Sequence, residues 1–303
     1  MISILIPVYN YDCSLLIKEL AAQSLQLKEE LDGEFDYEII VSDDASTDLN
    51  KQKINMTAAL TTGSTYIQQK KNIGQAHLRN AMADIARFDL LLMIDADAEI
   101  FTKDFIRCYW QDRNKGDVIC GTLKNPPGPA PLGCELRYRY EKKAEKARPA
   151  TARTKAPYNY FSTFNVMFHR EVFERIRFDE RCTEYGYEDT LMGLMLKKHS
   201  YSVIHTDNPL IHKGIDSNQS FLKKTETAMR MLYKLGDPLQ GHTGASRIAS
   251  KLEKWHLKKC TKQLYKSIKK TLQKNLLSHH PSILLFNFYK LGYYCSLDDS
   301  NTI

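Results

Sequence analysis

The sequence predicts an α/β protein with a mostly parallel sheet flanked by helices, followed by a helical extension at the carboxyl end. Short apolar runs alternate with amphipathic stretches in the first half, which is the pattern of strands joined by crossover helices. The 303 residues are 43% hydrophobic and 26% charged, which is ordinary for a chain that folds around a core. Disordered and collagen-like proteins are therefore excluded.

Five apolar runs in the first half predict strands at residues 2–8, 37–42, 65–69, 89–94 and 118–122. Apolar residues at helical spacing predict helices between them, at residues 14–31, 49–60, 75–86 and 103–114. Ser46 or Thr47 is the expected N-cap of the second helix.

A proline-rich segment, residues 124–131, separates the two halves of this pattern. We expect a short helix near residues 134–147 and then a mobile loop. Further strands are predicted at residues 162–168 and 201–206, and helices at 170–176, 189–199 and 221–235. After residue 238 we expect one basic amphipathic helix, followed by an apolar segment at 282–294. The face of that basic helix comprises Leu257, Cys260, Leu264, Ile268 and Leu272.

Cysteine usage and the amino terminus point to the cytoplasm. The seven cysteines are odd in number and contain no C-x-x-C pair, so neither a disulfide framework nor a thiolate zinc site is indicated. The first residues lack a basic region, and Pro7 interrupts their apolar stretch, so a signal peptide is not expected. No run approaches the length of a membrane span.

The Asp95-Ala96-Asp97 motif follows a fully apolar run, residues 90–94. Two carboxylates one residue apart in extended chain point to the same side. Such a pair suits Mg²⁺ or Mn²⁺, which also binds the phosphate oxygens of a substrate. The alternative is a strand-to-helix turn in which an aspartate serves as a cap.

Polar residues that could contact a ligand also follow the second and third predicted strands. Asp43-Asp44 offers carboxylates that can accept a nucleobase N–H or hold a ribose hydroxyl, although loop and capping roles are equally ordinary for aspartate. Arg79 lies in a predicted helix whose amino end favours an anion, and we expect it to reach the crevice unless it is a surface residue. No Gly-x-Gly-x-x-Gly motif is present, which disfavours a dehydrogenase.

At these residues the chain resembles glycosyltransferase family 2, the inverting, nucleotide-sugar-dependent transferases with a GT-A fold. The likeness is carried by residues 4–10, 40–48, 72–74, 79–80, 95–97 and 186–189. It implies a GT-A-like catalytic domain over residues 1–235, with a nucleotide-binding half at 1–123 and an acceptor-binding half at 124–235. Residues 236–303 would form a basic amphipathic helical extension.

The resemblance also implies roles for individual residues. The nucleotide base and ribose would be surrounded by Pro7, Tyr9, Asp43, Asp44 and Arg79. Asp97 would coordinate the metal on the diphosphate, and Asp95 would face the ribose or the metal. Ala45 stands where the family more often has glycine, so its side chain narrows the approach to the nucleotide.

An acid at the Glu188-Asp189 position is the general base in the resembled family. Inversion in a single displacement requires a base that takes the proton from the acceptor hydroxyl. We assign this role to Asp189, with Glu188 as the second candidate. The alternative is that both acids only complement the positive end of the helix that they open.

Three residues of the second half are further candidates by resemblance. In some relatives, a histidine shortly after the strand predicted here at residues 201–206 is a third metal ligand or diphosphate contact. His212 is therefore a candidate metal ligand, and Lys213 is a candidate phosphate partner. A structural histidine is the alternative. Asn165 resembles the position beneath the acceptor sugar, or is an amide satisfied by the backbone.

The chain's basicity is concentrated at residues 247–274, which contain ten Lys or Arg and one acid, Glu253. The basic helix could lie on an anionic bilayer, with Trp255 at the headgroups, or pack on the catalytic body. Nucleic acid is not expected, because the body is slightly acidic. The basic segment 137–155 is predicted to form a lid over the donor or a lipid-linked acceptor.

The sequence thus predicts a metal-dependent inverting glycosyltransferase of hexosyltransferase type, with Mn²⁺ or Mg²⁺ as cofactor. The expected donor is a nucleotide-diphosphate sugar, foremost a UDP-sugar, and the acceptor is a saccharide or lipid-linked saccharide in bacterial surface polysaccharide synthesis. The expected location is cytoplasmic or peripheral on the inner face of the cell membrane. Two alternatives remain: a polyprenyl-phosphate sugar synthase, and a catalytically silent nucleotide-sugar-binding partner.

Overall fold

The computed structural model describes residues 1–297. The strands are β1 (Ile2–Val8), β2 (Tyr37–Asp43), β3 (Thr65–Gln68), β4 (Leu90–Ile94), β5 (Ala98–Ile100), β6 (Val118–Lys124), β7 (Asn165–His169) and β8 (Val203–His212). The helices of the first half are α1 (Ser14–Glu30), α2 (Leu49–Thr61), α3 (Gln75–Ile85) and α4 (Phe105–Asp112). Those that follow are α5 (Glu135–Ala147), α6 (Ala150–Thr154), α7 (Arg170–Arg175), α8 (Glu188–Lys198), α9 (Asn218–Leu235), α10 (Gly244–Lys254), α11 (Lys258–Leu276) and α12 (Ile283–Ser296).

The eight strands form one mixed sheet in the order β3-β2-β1-β4-β7-β6-β8-β5. Strands β1 to β4 pair in parallel, as do β6 and β8, whereas β7 is antiparallel to both of its neighbours and β5 is antiparallel to β8. The α/β fold class is confirmed. The carboxyl ends of β1, β2 and β4 lie side by side, as parallel pairing requires.

Both faces of the central strands are covered, which is why they read as continuous apolar runs. Ile4 and Ile6 of β1 belong to a core cluster that also contains residues of α1 and α4. Leu5, which points to the opposite face, is equally buried. The sheet is therefore a rigid platform for the loops at its carboxyl edge.

The predicted strands and helices of the first unit's sheet are present, and three details differ. β5 was not predicted; it is three residues long and follows the Asp95-Ala96-Asp97 turn. β8 extends to residue 212, so His212 ends this strand rather than lying beyond it. The N-cap of α2 is Asp48, which accepts from the Lys51 amide, and not Ser46 or Thr47.

The loop at Ser46 explains why the N-cap prediction is wrong. Asn10, at the end of β1, donates its amide to the Ser46 hydroxyl at 2.8 Å. Its side-chain oxygen accepts from the amides of Thr47 and Asp48. The Ser46 and Thr47 hydroxyls thus join two strand ends, which leaves the capping role to Asp48.

The predicted basic loop at residues 137–155 is largely helical. α5 runs to Ala147 and α6 covers Ala150–Thr154, with a 3₁₀ turn at Pro157–Tyr160. Arg153 is buried and donates to the Gly121 carbonyl at 2.7 Å. A side chain that binds the sheet in this way anchors the segment. The prediction of a loop is therefore wrong, and the role of this segment as a lid stays a prediction.

The chain divides into two compact units. The first comprises residues 1–126, 145–183 and 188–214 and contains the whole sheet. The second comprises residues 127–144, 184–187 and those from 215 onward, and its core cluster is aromatic and aliphatic: Leu136, Phe221, Leu222, Tyr265, Leu272, Leu276, Phe286 and Tyr289. The catalytic domain predicted at residues 1–235, with its nucleotide-binding and acceptor-binding halves, is defined by function. That division stays a prediction.

The basic segment of the second unit forms two helices rather than one. α10 ends at Lys254 and α11 begins at Lys258, and between them His256 has a φ of 57°. Ile268 and Leu272 pack in the core of the unit, whereas Leu264 is exposed. The predicted single apolar face is therefore split.

Residues 298–303, the end of the predicted extension, lie outside the described residues. Within residues 1–297, no helix combines the length and the apolar character needed to cross a membrane.

Candidate functional site

All of the predicted site residues belong to the first unit. At its centre, Asp95 and Asp97 follow the buried strand β4. They lie in a tight turn closed by the Ala98 amide, which donates to the Asp95 carbonyl at 3.1 Å. The expectation of an extended segment here is wrong, because the chain reverses directly into β5. Because of this turn, the two carboxylates contact different residues: Asp95 contacts Arg79, and Asp97 contacts His212.

Asp95 is held by Arg79. The Arg79 guanidinium, only 2% exposed, donates through Nη2 to Asp95 Oδ1 at 2.8 Å. Burial raises the pKa of Asp95, and the negative charge of Asp97 raises it further, although Arg79 acts in the opposite direction. Arg79 therefore binds the acidic motif and is not a surface residue.

The rest of the Arg79 side chain is enclosed. Its Nε and Nη1 are buried without a hydrogen-bond partner in the described structure, and the guanidinium carbon lies 5.5 Å from the centre of the Phe178 ring. Burial lowers the pKa of Arg79, but the charges of Asp95, Asp189 and Glu188 outweigh it. Among these acids, Asp95, which Arg79 binds directly, makes the largest contribution to raising the pKa.

Asp97 faces His212. Strand β5 pairs with β8 so that Ala98 lies opposite His212, and His212 Nε2 lies 3.1 Å from Asp97 Oδ2. His212 is buried, and Phe164 packs edge-on against its ring. His212 thus lies against the acidic motif, while its role as a metal ligand stays a prediction.

Gly214 completes the surroundings of Asp97. A Cβ atom on this glycine would lie 2.1 Å from Asp97 Oδ2, well inside any real contact. The Lys213 amide donates to the Asp97 carbonyl at 2.8 Å, while its ammonium pairs with Glu99 at 3.1 Å. The segment after β8 is therefore shaped around Asp97, a role for Gly214 that the sequence analysis missed.

The chemistry of this donor set fits a divalent cation. A carboxylate oxygen and an imidazole nitrogen converge at Asp97 and His212, and both are accepted by Mn²⁺, with Mg²⁺ favouring the oxygen. Within residues 1–297 no group of three or more His, Cys, Asp or Glu is placed to hold a metal. A bound ion would thus need further ligands from its substrate, as phosphate oxygens provide.

Asp43 and Asp44 are buried and bind the surrounding loops. Asp43 accepts from the Ser46 amide at 2.6 Å and from the Tyr66 hydroxyl at 3.0 Å. Asp44 accepts from the amides of Ile73 and Gly74 at 2.8 and 3.0 Å. These bonds join the ends of β2 and β3 to the start of α3, so both acids shape the predicted nucleotide site.

Tyr9 is the exposed member of the predicted nucleotide group. Pro7 is half-buried in β1 opposite Ser42, whereas Tyr9 is 49% exposed just beyond the strand. Ala45 has a φ of 59°, in the left-handed region, a conformation that glycine adopts without steric cost. The phenol of Tyr9 is thus available to a ligand.

Asp189 lies at the start of α8 and is held by Thr163. The Thr163 hydroxyl donates to Oδ1 at 2.8 Å and its amide to Oδ2 at 3.2 Å. The next residue, Phe164, accepts the Asp95 amide at 3.0 Å. One short segment thus positions both the candidate base and the acidic motif.

Asn165 has a structural environment. Its side-chain nitrogen donates to the Thr122 and Asn208 carbonyls at 3.4 and 3.3 Å, and a Cβ at Gly121 would collide with it. The side chain is buried in the sheet. Of the two interpretations left open, the structure therefore supports the backbone-satisfied amide.

Residues 3–177 match the model of Glycosyl transferase family 2. A curated relative, the poly(ribitol-phosphate) beta-glucosyltransferase of Bacillus spizizenii, is 32% identical over 131 residues, which is 42% of this chain and 20% of that protein. The chain thus spans about a fifth of the length of this relative.

Three solved structures illustrate the similarity in fold. The mannosyltransferase of Pyrobaculum calidifontis, solved with GDP-Man and Mn²⁺, has a TM-score of 0.56 at 15% identity over 99% of this chain and 86% of its own. Glucosyl-3-phosphoglycerate synthase of Mycobacterium tuberculosis, solved with Mn²⁺ and UDP, has a TM-score of 0.52 at 14% identity, covering 78% and 80%. TarS of S. aureus has a TM-score of 0.51 at 17% identity, covering 99% of this chain and 55% of its own. At these identities the likeness shows the fold.

Proposed function

The chain belongs to glycosyl transferase family 2, and we propose that it transfers a sugar from a nucleotide-diphosphate sugar to a saccharide hydroxyl with inversion at the anomeric carbon. The observation that carries the proposal is the position of Asp189 beside the acidic motif. Thr163 binds the Asp189 carboxylate, and the next residue, Phe164, accepts the Asp95 amide at 3.0 Å, so neighbouring residues hold the proposed base and the acidic motif.

Asp97 and His212 would hold Mn²⁺ or Mg²⁺, with Asp95 beside them. When bound, the ion neutralises charge on the diphosphate as it leaves. The support for Mn²⁺ is the fit of these donors, together with the Mn²⁺ recorded in two proteins of similar fold. Arg79 keeps Asp95 in place for this site.

The nucleotide would lie along the ends of β1 and β2. Tyr9 offers an exposed ring for the base, next to Pro7. Asp43 and Asp44 hold the loops that line the pocket, and a carboxylate oxygen can accept more than one hydrogen bond. We propose UDP as the nucleotide; GDP-Man in the Pyrobaculum calidifontis structure makes guanosine the competing choice.

Asp189 would take the proton from the acceptor hydroxyl as that oxygen attacks the anomeric carbon. General-base assistance of this kind contributes about 10²–10⁴-fold to a rate. Thr163 fixes both carboxylate oxygens, which keeps the base in one orientation. Glu188 remains the second candidate, and the two are separable by substitution.

The acceptor is proposed to be a saccharide or lipid-linked saccharide of a bacterial surface polymer, and the transferred group a hexose. The support is the poly(ribitol-phosphate) beta-glucosyltransferase of Bacillus spizizenii, to which part of this chain is 32% identical. An acceptor phosphate, as in a polyprenyl-phosphate sugar synthase, needs little base catalysis. The fixed position of Asp189 favours the hydroxyl acceptor.

The proposal is tested by calorimetry with UDP and Mn²⁺, followed by nucleotide release from a panel of UDP- and GDP-sugars. We expect Asp97→Ala to abolish Mn²⁺-dependent UDP binding, and Asp189→Asn to keep binding while losing transfer. Absence of nucleotide binding by the unmodified protein would overturn the proposal. Activity of Asp189→Asn on a polyprenyl phosphate would indicate the synthase, and donor hydrolysis by the unmodified protein would exclude a silent partner.

A further inference from the structure

An exposed apolar group lies where α10 meets α11 in the second unit. Trp255 is 65% exposed, and Ile248, Leu257 and Leu264 are each about half exposed, at 48%, 46% and 51%. We call these four residues the α10–α11 corner. Isolated exposed apolar residues need no explanation, but four within 17 residues of chain form a group on one pair of helices.

The corner lies on the outward side of α10. Ser246 and Ala249 of this helix are buried, and the opposite side carries Ile248, Lys251 and Trp255 at spacings of three and four residues. These residues therefore form one stripe in which a cation lies between two apolar side chains. Such a stripe is unsuited to burial in a protein core, but it can contact a partner that offers both apolar groups and charges.

The core of the unit does not use the corner. α11 buries Tyr265, Leu272 and Leu276, which place the inward side of this helix in the aromatic core. Leu257 and Leu264 lie outside that set. The core cluster of the unit thus forms without the four residues of the corner.

The charge around the corner is strongly positive. Exposed cations accompany it along the same stretch of chain: Arg247, Lys251, Lys254 and Lys259. Glu253, the one acid between residues 247 and 274, pairs with Lys258 at 2.8 Å. The partner that complements this surface is anionic over an extended area.

We infer that the α10–α11 corner inserts shallowly into the headgroup layer of an anionic phospholipid bilayer. An indole ring is apolar with one N–H donor, so it suits the interface between acyl chains and water. The cations would lie against the anionic headgroups, whose attraction falls off within a Debye length. Binding to an acidic protein is the competing outcome, which the test distinguishes by the requirement for lipid.

This inference deepens the proposed function, since a membrane position would bring the chain to a lipid-linked acceptor, but the contact itself does not depend on catalysis. Binding to a vesicle and nucleotide release are measured separately. Loss of vesicle binding with normal nucleotide release would defeat the inference alone. Vesicle binding without any nucleotide release would defeat the proposed function alone.

The test is sedimentation of the full chain with vesicles of phosphatidylglycerol and phosphatidylcholine, compared with phosphatidylcholine alone. We expect binding to the anionic vesicles only, weakened by high salt. Combining Trp255→Ser with Leu257→Ser should weaken partitioning about tenfold or more. Leu284→Ser is the matched control, because Leu284 is 78% exposed on α12 of the same unit but lies outside the corner.

Quenching by brominated lipid reports insertion directly. We expect quenching of tryptophan emission in the unmodified protein, and its loss in Trp255→Phe, which keeps an aromatic side chain for binding. Circular dichroism checks that each variant is folded. Equal binding to neutral and anionic vesicles, equal loss in Leu284→Ser, or binding without quenching would overturn the inference.

Discussion

Thr163 holds both carboxylate oxygens of Asp189, one through its hydroxyl at 2.8 Å and the other through its amide at 3.2 Å. Thr163 is buried and lies next to Phe164, which accepts the Asp95 amide. Any shift of this segment would therefore move the candidate base and the acidic motif together. We therefore propose Thr163 as a positioning residue, which would act on the reaction only through Asp189.

Thr163→Val should lower kcat about 10- to 100-fold, because a misplaced catalytic group costs about that much. Valine has nearly the same shape but no hydroxyl, so Asp189 Oδ1 loses its partner while the amide contact stays. The KM for the donor should change little, since Thr163 lies on the acceptor side of the mechanism. Initial rates of nucleotide release measure both parameters.

Thr163→Ser is the matched control and should restore most of kcat, because serine keeps the hydroxyl. If serine is as damaging as valine, or if valine raises the donor KM while kcat stays unchanged, Thr163 has a packing role and does not position the base.

The sequence alone predicts those parts of the fold and of the site that depend on residues close together in the chain. The buried run of β4 ends at Asp95, and that of β2 at Asp43, so parallel pairing alone brings these ends to one edge of the sheet. Helical spacing likewise placed Arg79 in α3. These features follow from periodicities of two and 3.6 residues, which are visible in a single sequence.

What escaped prediction depends on contacts between distant residues. Thr163 and Asp189 are 26 positions apart, and Asp97 and His212 are 115 apart. The three-residue strand β5 exists because it pairs with β8, and too few residues carry its pattern to be recognised alone. The burial of Arg79 similarly requires Asp95 and Phe178. A resemblance supplied the identity of the acids, but not the side chains that hold them.

Gly214→Ala should weaken Mn²⁺-dependent UDP binding at least about tenfold, equivalent to about 1.4 kcal/mol. The added Cβ would lie 2.1 Å from Asp97 Oδ2, so the carboxylate must rotate away. The Asp97 side chain is partly exposed, so it can turn toward solvent at little cost in stability. Titration calorimetry with UDP, with and without Mn²⁺, measures the effect.

Gly244→Ala is the control for the glycine substitution, because a Cβ there meets nothing within 4 Å. Its affinity should equal that of the unmodified protein. Normal affinity in Gly214→Ala would mean that Asp97 does not need its present orientation, and the assignment of Asp97 as a metal ligand would be weakened.

Ala45→Gly should stabilise the chain by about 0.5–1 kcal/mol. Alanine at a φ of 59° pays the left-handed penalty of about 1–2 kcal/mol, which glycine avoids, while glycine loses about 0.5–1 kcal/mol through its greater unfolded-state entropy. Urea unfolding measures the difference. Ala22→Gly, at an exposed position in the middle of α1, should instead destabilise by about 0.5–1 kcal/mol; the same sign at both positions would contradict the argument.

His205 should make the first unit less stable as the pH falls below about 6.5. Burial lowers the pKa of His205, and the Arg153 guanidinium lowers it further, although the Pro157 carbonyl favours the charged ring. The ring lies between Arg153 Nη1 at 3.0 Å and the Pro157 carbonyl at 2.9 Å, so the neutral form donates to the carbonyl and accepts from the arginine. Protonation would place a ring N–H against the guanidinium.

The sign follows from linkage. Below the unfolded-state pKa, the unfolded chain binds a proton at His205 that the folded chain does not bind. The free energy of unfolding therefore decreases as the pH is lowered, until the folded-state pKa is reached. Urea unfolding at pH 7.5 and 5.5 should show a smaller drop in His205→Gln than in the unmodified protein. Where that variant does not fold, the His205 ring can be titrated by NMR in the intact chain, and a pKa at or above 6.5 would refute the prediction.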